Sequence, residues 1–470
     1  MRRIARIIAV TTGLALVATG CLGQSEDEPE DTQRGADATE VTLTIAANAV
    51  SGGKNAEEAD WIENYVIPEF VAQQEADGVD VTVEFQSSGV DDEDYKSKIA
   101  LDLRTGSGAD IVSLDGIWVG EFAEAGYVLP LTEVVGDTVD EWDGWEQIPD
   151  AVQANMSFND ERYGVPAGSD GRVLFYNKEL FAQAGLPEDW QPTSWEEILD
   201  AGRALQGIEG VTPIQLNAGT AMGEATTMQG VLPLLVGTGQ RIYDEDAGTW
   251  QGNTQNIRDV LGLYQSVYGE GLGDPTLQQE AQGRDKSFAE FAAGTVGILM
   301  EGDYFWRSVI EPTAGVAPMP NRDEVVGFTK LPAMEPGSGI DGQDFVSMSG
   351  GGGRVLNPAT EFPQQAWELL TFMNSAEATT ELVGDGARLT QRQDVNDELL
   401  ANDPMLSFIA DEVVPLSAYR PGLAVYPQIS VALQQATLDV VTGMTPEEAA
   451  ASYQDAVEAA LGSADDIASD

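Results

Sequence analysis

The chain has 470 residues and a formal net charge of −56, because 79 aspartates and glutamates outnumber 23 lysines and arginines. Such an excess of negative charge excludes nucleic acid and anionic membrane surfaces as partners. Histidine is absent and there is one cysteine, which excludes a histidine-based catalytic triad, a histidine metal site and an intrachain disulfide. The length predicts two domains or two lobes.

The acidity has two interpretations. Repulsion among like charges is tolerated best at high salt, where the Debye length falls to ~3 Å at 1 M. This favours a halophilic or salt-tolerant host. The alternative is the ordinary acidity of a secreted protein.

The first twenty residues have the pattern of a signal peptide. Arg2, Arg3 and Arg6 precede an apolar run over residues 7–18, which is too short for a normal spanning helix. The segment ends directly before Cys21, the only cysteine, and resembles the lipobox of bacterial lipoproteins, although leucine is more common than alanine three residues before the cysteine. We therefore expect lipidation of Cys21, and an ordinary secretion signal is the alternative.

Residues 21–40 are acidic, contain proline and glycine, and have almost no apolar side chains. This composition predicts a disordered tether between the anchor and the fold. Strands and helices alternate from residue 41 onwards, which predicts doubly wound α/β lobes. The predicted first lobe is 41–168, completed by about 316–385, and the second is 169–315, completed by about 386–470. We place the return crossing at the glycine- and proline-containing residues 315–320.

The stretch 162–205 has the pattern of a hinge. A short apolar segment ends at Pro166, a polar glycine-containing crossing follows, and a β-prone run begins at Val173. Asn177 is positioned to cap a helix that Gly185 ends. Thr193 or Ser194 then caps a second helix with glutamates in its first turn.

These residues resemble the sugar-binding lipoproteins of ABC importers, the maltose-binding-protein-like family. The matching positions are Tyr163 to Pro166, Tyr176 to Lys178, Phe181, Ala184 to Leu186, and Ser194 to Glu197. The resemblance implies a periplasmic-binding-protein-like fold whose two lobes close on a carbohydrate, without a cofactor. It also implies a monomer, anchored by lipid to the outer face of the membrane, that serves an ABC permease.

The nearest subgroup is that of the trehalose, maltose or α-glucoside binders, because of Asp115 to Trp118 and the pair Arg420-Pro421. The resemblance implies that Asp170, in the crossing, binds sugar hydroxyls. A turn aspartate is the alternative.

Other candidates lie where sugars find aromatic faces and polar groups. Asp115 and Trp118 follow a predicted strand, at the carboxyl end where α/β proteins hold ligands. The resemblance places a stacking aromatic at Tyr304 or Trp306, which we weigh equally. The remaining candidates are amides, a backbone N–H and a guanidinium: Asn48, Asn217, Gly351 and Arg420. For each asparagine a cap or turn role is equally compatible, and the arginine also suits a salt-bridge network.

One departure from the subgroup concerns its stacking surface. The subgroup commonly has a tryptophan after its Gly-Gly turn, whereas here four glycines lead into Arg354. The ligand therefore need not be trehalose or maltose. A binder of polyamines or peptides and a secreted glycosidase are the alternatives, although no pair of carboxylates has a distinguishing glycosidase pattern.

Overall fold

The structure, a computed structural model, describes residues 31–53, 55–90, 92–384 and 388–469. The predicted signal peptide, Cys21 and the tether up to residue 30 lie outside the described residues. Within the described ranges, no helix has both the length and the apolar character that crossing a bilayer requires.

Strands and helices alternate along most of the chain. The strands are β1 (Glu40–Ala47), β2 (Asp80–Ser87), β3 (Ile111–Asp115), β4 (Ser157–Phe158), β5 (Glu161–Arg162), β6 (Gly164–Pro166), β7 (Arg172–Asn177), β8 (Thr212–Gln215), β9 (Tyr243–Asp244), β10 (Thr249–Gln251), β11 (Val296–Gly302), β12 (Val326–Thr329), β13 (Leu331–Pro332), β14 (Phe345–Met348), β15 (Gly352–Leu356), β16 (Ser417–Ala418) and β17 (Ile467–Ala468). The helices are α1 (Ala56–Trp61), α2 (Ile67–Asp77), α3 (Asp92–Arg104), α4 (Val119–Glu124), α5 (Leu131–Val135), α6 (Asp150–Gln153), α7 (Lys178–Ala184), α8 (Trp195–Leu205), α9 (Glu224–Thr226), α10 (Leu232–Val236), α11 (Gln255–Gly269), α12 (Gly283–Ala292), α13 (Arg322–Val325), α14 (Pro363–Met373), α15 (Ala376–Val383), α16 (Gln393–Leu399), α17 (Pro404–Phe408), α18 (Tyr426–Val441) and α19 (Pro446–Leu461).

The first lobe is built on a five-stranded sheet in the order β2-β1-β3-β15-β6. Strand β1 pairs in parallel with β2 and β3, and its side chains Leu43 and Ile45 are fully buried. Strand β15 arrives from much later in the chain and pairs antiparallel with both β3 and β6. The first lobe is therefore completed by a distant segment, as two-lobed topology requires.

The second lobe is built on a four-stranded sheet in the order β12-β7-β11-β8. Every residue of β7 and β11 is buried, because helices cover the sheet. The long helices α18 and α19 pack against each other and against α11 of this lobe. The predicted two-lobed α/β fold is thus confirmed.

The return crossing lies elsewhere than predicted. Residues 315–320 form a loop between β11 and α13, and the chain then stays in the second lobe, where Val326 of β12 pairs with Asn177 of β7. The chain crosses back at residues 349–351, between β14 and β15. The glycine and prolines at 315–320 mark a turn, and the short strand β12 was not recognised as part of the second sheet.

The carboxyl end of the predicted tether is ordered. Gln364 of α14 donates a hydrogen bond of 2.8 Å to the carbonyl of Thr32, and Gln365 donates one of 3.0 Å to the carbonyl of Gly35. The Arg34 guanidinium donates to the carbonyl of Pro358 at 2.9 Å. Residues 31–39 therefore pack on the first lobe without many apolar side chains, since polar side chains of the fold satisfy their backbone.

The helix caps of the hinge stretch agree with the sequence. The side-chain oxygen Oδ1 of Asn177 accepts from the backbone N–H groups of Glu179 and Leu180, at 3.0 and 3.1 Å. Gly185 ends α7 with φ 74°, a left-handed conformation that favours glycine. Ser194, rather than Thr193, caps α8.

Candidate ligand-binding cleft

A cleft of about 700 Å³ lies where the two crossings meet the first lobe. The carboxyl ends of β1 and β3 supply Asn48 and Asp115, and the crossings supply Asp170 and Gly350 to Gly353. Its size falls in the range of ordinary small-molecule sites. Five of the predicted site residues line it: Asn48, Asp115, Trp118, Asp170 and Gly351.

Asp170 ties the two crossings together. Its Oδ1 accepts hydrogen bonds from the Gly350 backbone N–H at 2.6 Å, the Ser349 hydroxyl at 3.1 Å and the Arg172 guanidinium at 2.5 Å. Burial alone would raise the pKa of Asp170, but Arg172 and these hydrogen bonds hold it below the ordinary value. Asp170 therefore lines the cleft as an ionised carboxylate.

The glycine run of the return crossing is required by close backbone approach. A Cβ on Gly352 would lie 2.5 Å from the carbonyl oxygen of Leu114, and one on Gly353 equally close to that of Val165. Gly351 has φ 123°, and its carbonyl accepts from the backbone N–H of Gly116 at 3.1 Å. Gly351 thus holds the crossing against the β3 loop.

Arg420 lies between the lobes. Its guanidinium is 3.3 Å from the Glu224 carboxylate in the second lobe and 4.0 Å from Asp115 in the first. Asp115 also caps the turn at Gly116–Trp118 by accepting from the Ile117 N–H at 3.1 Å. Burial raises the pKa of Asp115, and Arg420 opposes that shift. Asp115 therefore caps a turn and lines the cleft, whereas Arg420 bridges the lobes and does not line the cleft.

The two aromatic candidates after β11 have different environments. The Tyr304 ring is 43% exposed, next to Arg307, which lines the cleft, although Tyr304 itself does not line it. Trp306 is 3% exposed, lies under the Arg322 guanidinium at 3.7 Å, and donates a 3.2 Å hydrogen bond to Asp403. The prediction of Trp306 as a stacking surface is wrong, because its ring is part of the core.

Both predicted asparagines have structural partners. Asn217 is 1% exposed, donates to Glu301 at 3.2 Å, accepts from Gln215 at 3.1 Å, and does not line the cleft. Asn48 lines the cleft, but its amide donates to the Val90 carbonyl at 3.0 Å and accepts from the Val90 N–H at 3.2 Å. The Asn217 prediction is therefore corrected, and Asn48 shapes a cleft loop.

Several cleft residues were missed by sequence reasoning. They are Glu58, Tyr95, Arg307, Arg354 and Arg388. Arg354 directly follows the glycine run, in the stretch where the subgroup's tryptophan is missing. The others lie on helices or loops far apart in sequence. Within the described ranges, no group of acidic or cysteine side chains is arranged to hold a metal ion.

The two lobes and the cleft between them define a periplasmic-binding-protein-like protein. The chain belongs to the bacterial extracellular solute-binding protein family, whose model matches residues 55–380. The members of this family are solute-binding proteins and not enzymes.

Relatives and solved structures are similar at low identity. A binding protein of Brucella abortus is 25% identical over 289 residues, which cover 61% of this chain and 64% of that protein. An arabinooligosaccharide-binding protein of Halalkalibacterium halodurans is 22% identical, with 61% and 59% covered. The alignments therefore span less than two thirds of either relative.

Two solved structures illustrate the similarity of fold. A solute-binding protein of Thermotoga lettingae bound with α-D-tagatose is 26% identical, with a TM-score of 0.61 and coverage of 90% of this chain and all of that one. The sugar-binding protein MalE of Xanthomonas citri is 19% identical, with a TM-score of 0.71 and coverage of 90% and 97%. The second similarity concerns the fold alone.

Proposed function

We propose that this protein captures a carbohydrate, of the di- or oligosaccharide and α-glucoside type, outside the cytoplasm and delivers it to an ABC permease. The observation that carries the proposal is the cleft at the crossings, where Asp115, Asp170 and the Gly350–Gly353 backbone converge. Carboxylates accept hydrogen bonds from sugar hydroxyls, and backbone N–H groups donate them. The tagatose-bound and arabinooligosaccharide-binding relatives support a sugar as the ligand.

The aromatic contribution is divided between the lobes. Trp118 lines the cleft from the first lobe with 7% of its surface exposed, and Tyr304 presents an exposed ring beside the cleft, at the end of β11 in the second lobe. Aromatic faces pack against the C–H face of a sugar ring. A sugar in contact with Trp118, Asp170 and Tyr304 bridges both lobes and favours closure by its higher affinity for the closed state.

The proposed location of the protein in the cell rests on its sequence. We propose cleavage of residues 1–20, lipidation of Cys21, and function as a monomer on the outer face of the membrane. The anchor would keep the cleft close to the permease, while the acidic surface would repel anionic lipid headgroups.

The test is a thermal-shift screen of mono-, di- and oligosaccharides at low and high salt, followed by calorimetry on the hits. We expect at least one carbohydrate to raise the melting temperature, because a ligand that binds only the folded state stabilises it. Spermidine and short peptides serve as the competing ligand classes. Stabilisation by one of these and by no carbohydrate would refute the proposal.

A further inference from the structure

Arginines line the cleft, although basic residues are rare in this chain. The whole sequence has 23 lysines and arginines against 79 acidic residues, yet three arginines line the cleft. We call Arg307, Arg354 and Arg388 the arginine cluster. Five carboxylates line the same cleft, and two of them, Glu57 and Glu58, lie beside the cluster, so the cleft as a whole is not positive. The cluster nevertheless gathers three guanidinium groups in an otherwise acidic chain, and an anionic group can bind to them.

Arg354 is buried without full pairing. Its side chain is 2% exposed, and Nη2 lies 2.7 Å from the Glu58 carboxylate. The guanidinium lies 5.1 Å from the centre of the Trp61 ring, and its Nε is buried with no hydrogen-bond partner among the described residues. Because Nε is buried, a ligand in the cleft would not reach it, and Arg354 contributes mainly its positive charge to this end of the cleft.

Arg388 has a weak partner. Glu57 is 3.8 Å away, and the Glu57 side chain is 84% exposed. Burial lowers the pKa of Arg388, Glu57 opposes the shift, and the like charges of Arg307 and Arg354 add to it. A single long, solvated ion pair contributes little, so the positive charge of Arg388 is incompletely balanced.

Arg307 brings the second lobe to the same place. It follows β11, and its Nε lies 2.8 Å from the buried carboxylate of Asp303. That contact fixes the position of the guanidinium, and Nη1 makes a longer contact of 3.4 Å with the Ser308 hydroxyl. An anion that contacts Arg307 and Arg354 would therefore touch both lobes, since Arg354 lies on β15 of the first sheet.

The cleft also has a separate set of acidic residues. The charged neighbours of Asp115 are Arg420, Asp92 and Asp170, whereas those of Arg388 are Glu57, Glu58, Arg307 and Arg354. Asp115 and Asp170 are therefore suited to hydroxyl groups, and the arginine cluster to an anionic group. The arginine cluster would repel the positive charges of a polyamine at one end of the cleft.

We propose that the ligand is an anionic carbohydrate, whose carboxylate or phosphate group binds the arginine cluster while its hydroxyls bind Asp115 and Asp170. This inference rests on the proposed function and names its substrate class. Guanidinium groups pair with carboxylate and phosphate oxygens through two parallel hydrogen bonds, a geometry that lysine does not offer.

The test measures the binding of four matched pairs of ligands to the full chain by calorimetry. The probes are galacturonate and galactose, glucuronate and glucose, digalacturonate and galactobiose, and maltose 6′-phosphate and maltose. We expect at least one acid to bind about tenfold or more tighter than its neutral partner, with an affinity that falls as NaCl rises. A carboxylate source and a phosphate source are distinguished by which pair shows the preference.

Variants of the arginine cluster test whether these residues cause the preference for the acid over the neutral sugar. Arg388→Gln and Arg307→Gln should each reduce the acid-to-neutral affinity ratio, and Arg203→Gln should preserve it. Arg203 is a matched control because it lies on the surface helix α8, paired with Glu270 at 2.8 Å. Neutral sugars binding as tightly as their acids would overturn this inference and leave the proposed function standing, whereas no binding by any carbohydrate would overturn both.

Discussion

The Asp170 carboxylate and the Arg172 guanidinium form an ion pair of 2.5 Å within the first crossing between the lobes. The same Asp170 oxygen accepts the Gly350 N–H of the return crossing at 2.6 Å. Arg172 is buried and also donates to the Gln229 amide oxygen at 3.0 Å. One carboxylate oxygen therefore joins both crossings beside the cleft, and in the proposed function the same carboxylate also binds the ligand.

Asp170→Asn should lower both stability and sugar affinity. Removing the charge leaves the buried Arg172 without its ionised partner, which we expect to cost about 1–3 kcal/mol of unfolding free energy after allowance for the partial exposure of Asp170. Urea denaturation measures this cost. The control is Asp140→Asn, whose ion pair with Arg162 lies on the surface. Equal midpoints for Asp170→Asn and the wild type would contradict the assignment.

The stability difference between wild type and Asp170→Asn should depend on pH. Despite burial, Arg172 and the hydrogen bonds lower the folded-state pKa of Asp170. Its contribution is therefore complete above the unfolded-state value of about 4 and is lost as the pH falls through the lower folded-state value. Urea midpoints measured at neutral pH and below about pH 4 should converge at the acidic end. A constant difference would show that the charge of Asp170 is not the cause.

Tyr304→Ala and Trp306→Ala should separate binding from stability. Trp306 fills the core beside Phe328, so its truncation should cost about 3–5 kcal/mol of unfolding free energy. Tyr304 is exposed, so its truncation should change stability by less than about 1 kcal/mol. It should weaken sugar binding by about 1–2 kcal/mol. Calorimetry and urea denaturation on both variants decide this, and unaltered binding by Tyr304→Ala would exclude stacking there.

NaCl should raise the stability of the folded protein if the acidic surface is an adaptation to high salt. The charge of −56 repels itself at low ionic strength, and screening shortens the Debye length from ~10 Å at 0.1 M to ~3 Å at 1 M. We expect the melting temperature to rise steadily with NaCl over this range. Sucrose of equal osmolality is the control, since it does not screen charge. A flat response to NaCl would refute the salt-tolerance interpretation and would leave the transport proposal unaffected.

Lipidation of Cys21 should be visible by mass spectrometry of the membrane-bound protein. The expected mature chain begins at Cys21 and carries acyl groups, because the residues before it resemble a lipobox. Cys21→Ser should release the protein from the membrane without altering its melting temperature, because residue 21 lies far before the first strand at Glu40. An unmodified Cys21 would show that an ordinary signal peptide exports the chain.

Local chemistry made part of this molecule predictable. Asn177 and Gly185 bound α7 as expected, and Thr445 with Glu448 forms a capping box on α19. Caps and strand periodicity depend on neighbours within a few residues, so the sequence contains all the information they need. The two-lobed fold was predicted differently, from the length of the chain and from the family resemblance of the motif around Tyr176.

The sequence by itself determined the acidity, the alternation of strands and helices, the caps, and Asp170, Asp115, Trp118 and Gly351 as residues of the cleft. Only the tertiary structure decided that Trp306 and Asn217 are buried, that the return crossing lies at 349–351, and that three distant arginines meet in the cleft. The physical reason is that burial and charge pairing depend on partners such as Asp403, Glu301 and Glu58, which lie roughly 80 to 300 residues away along the chain.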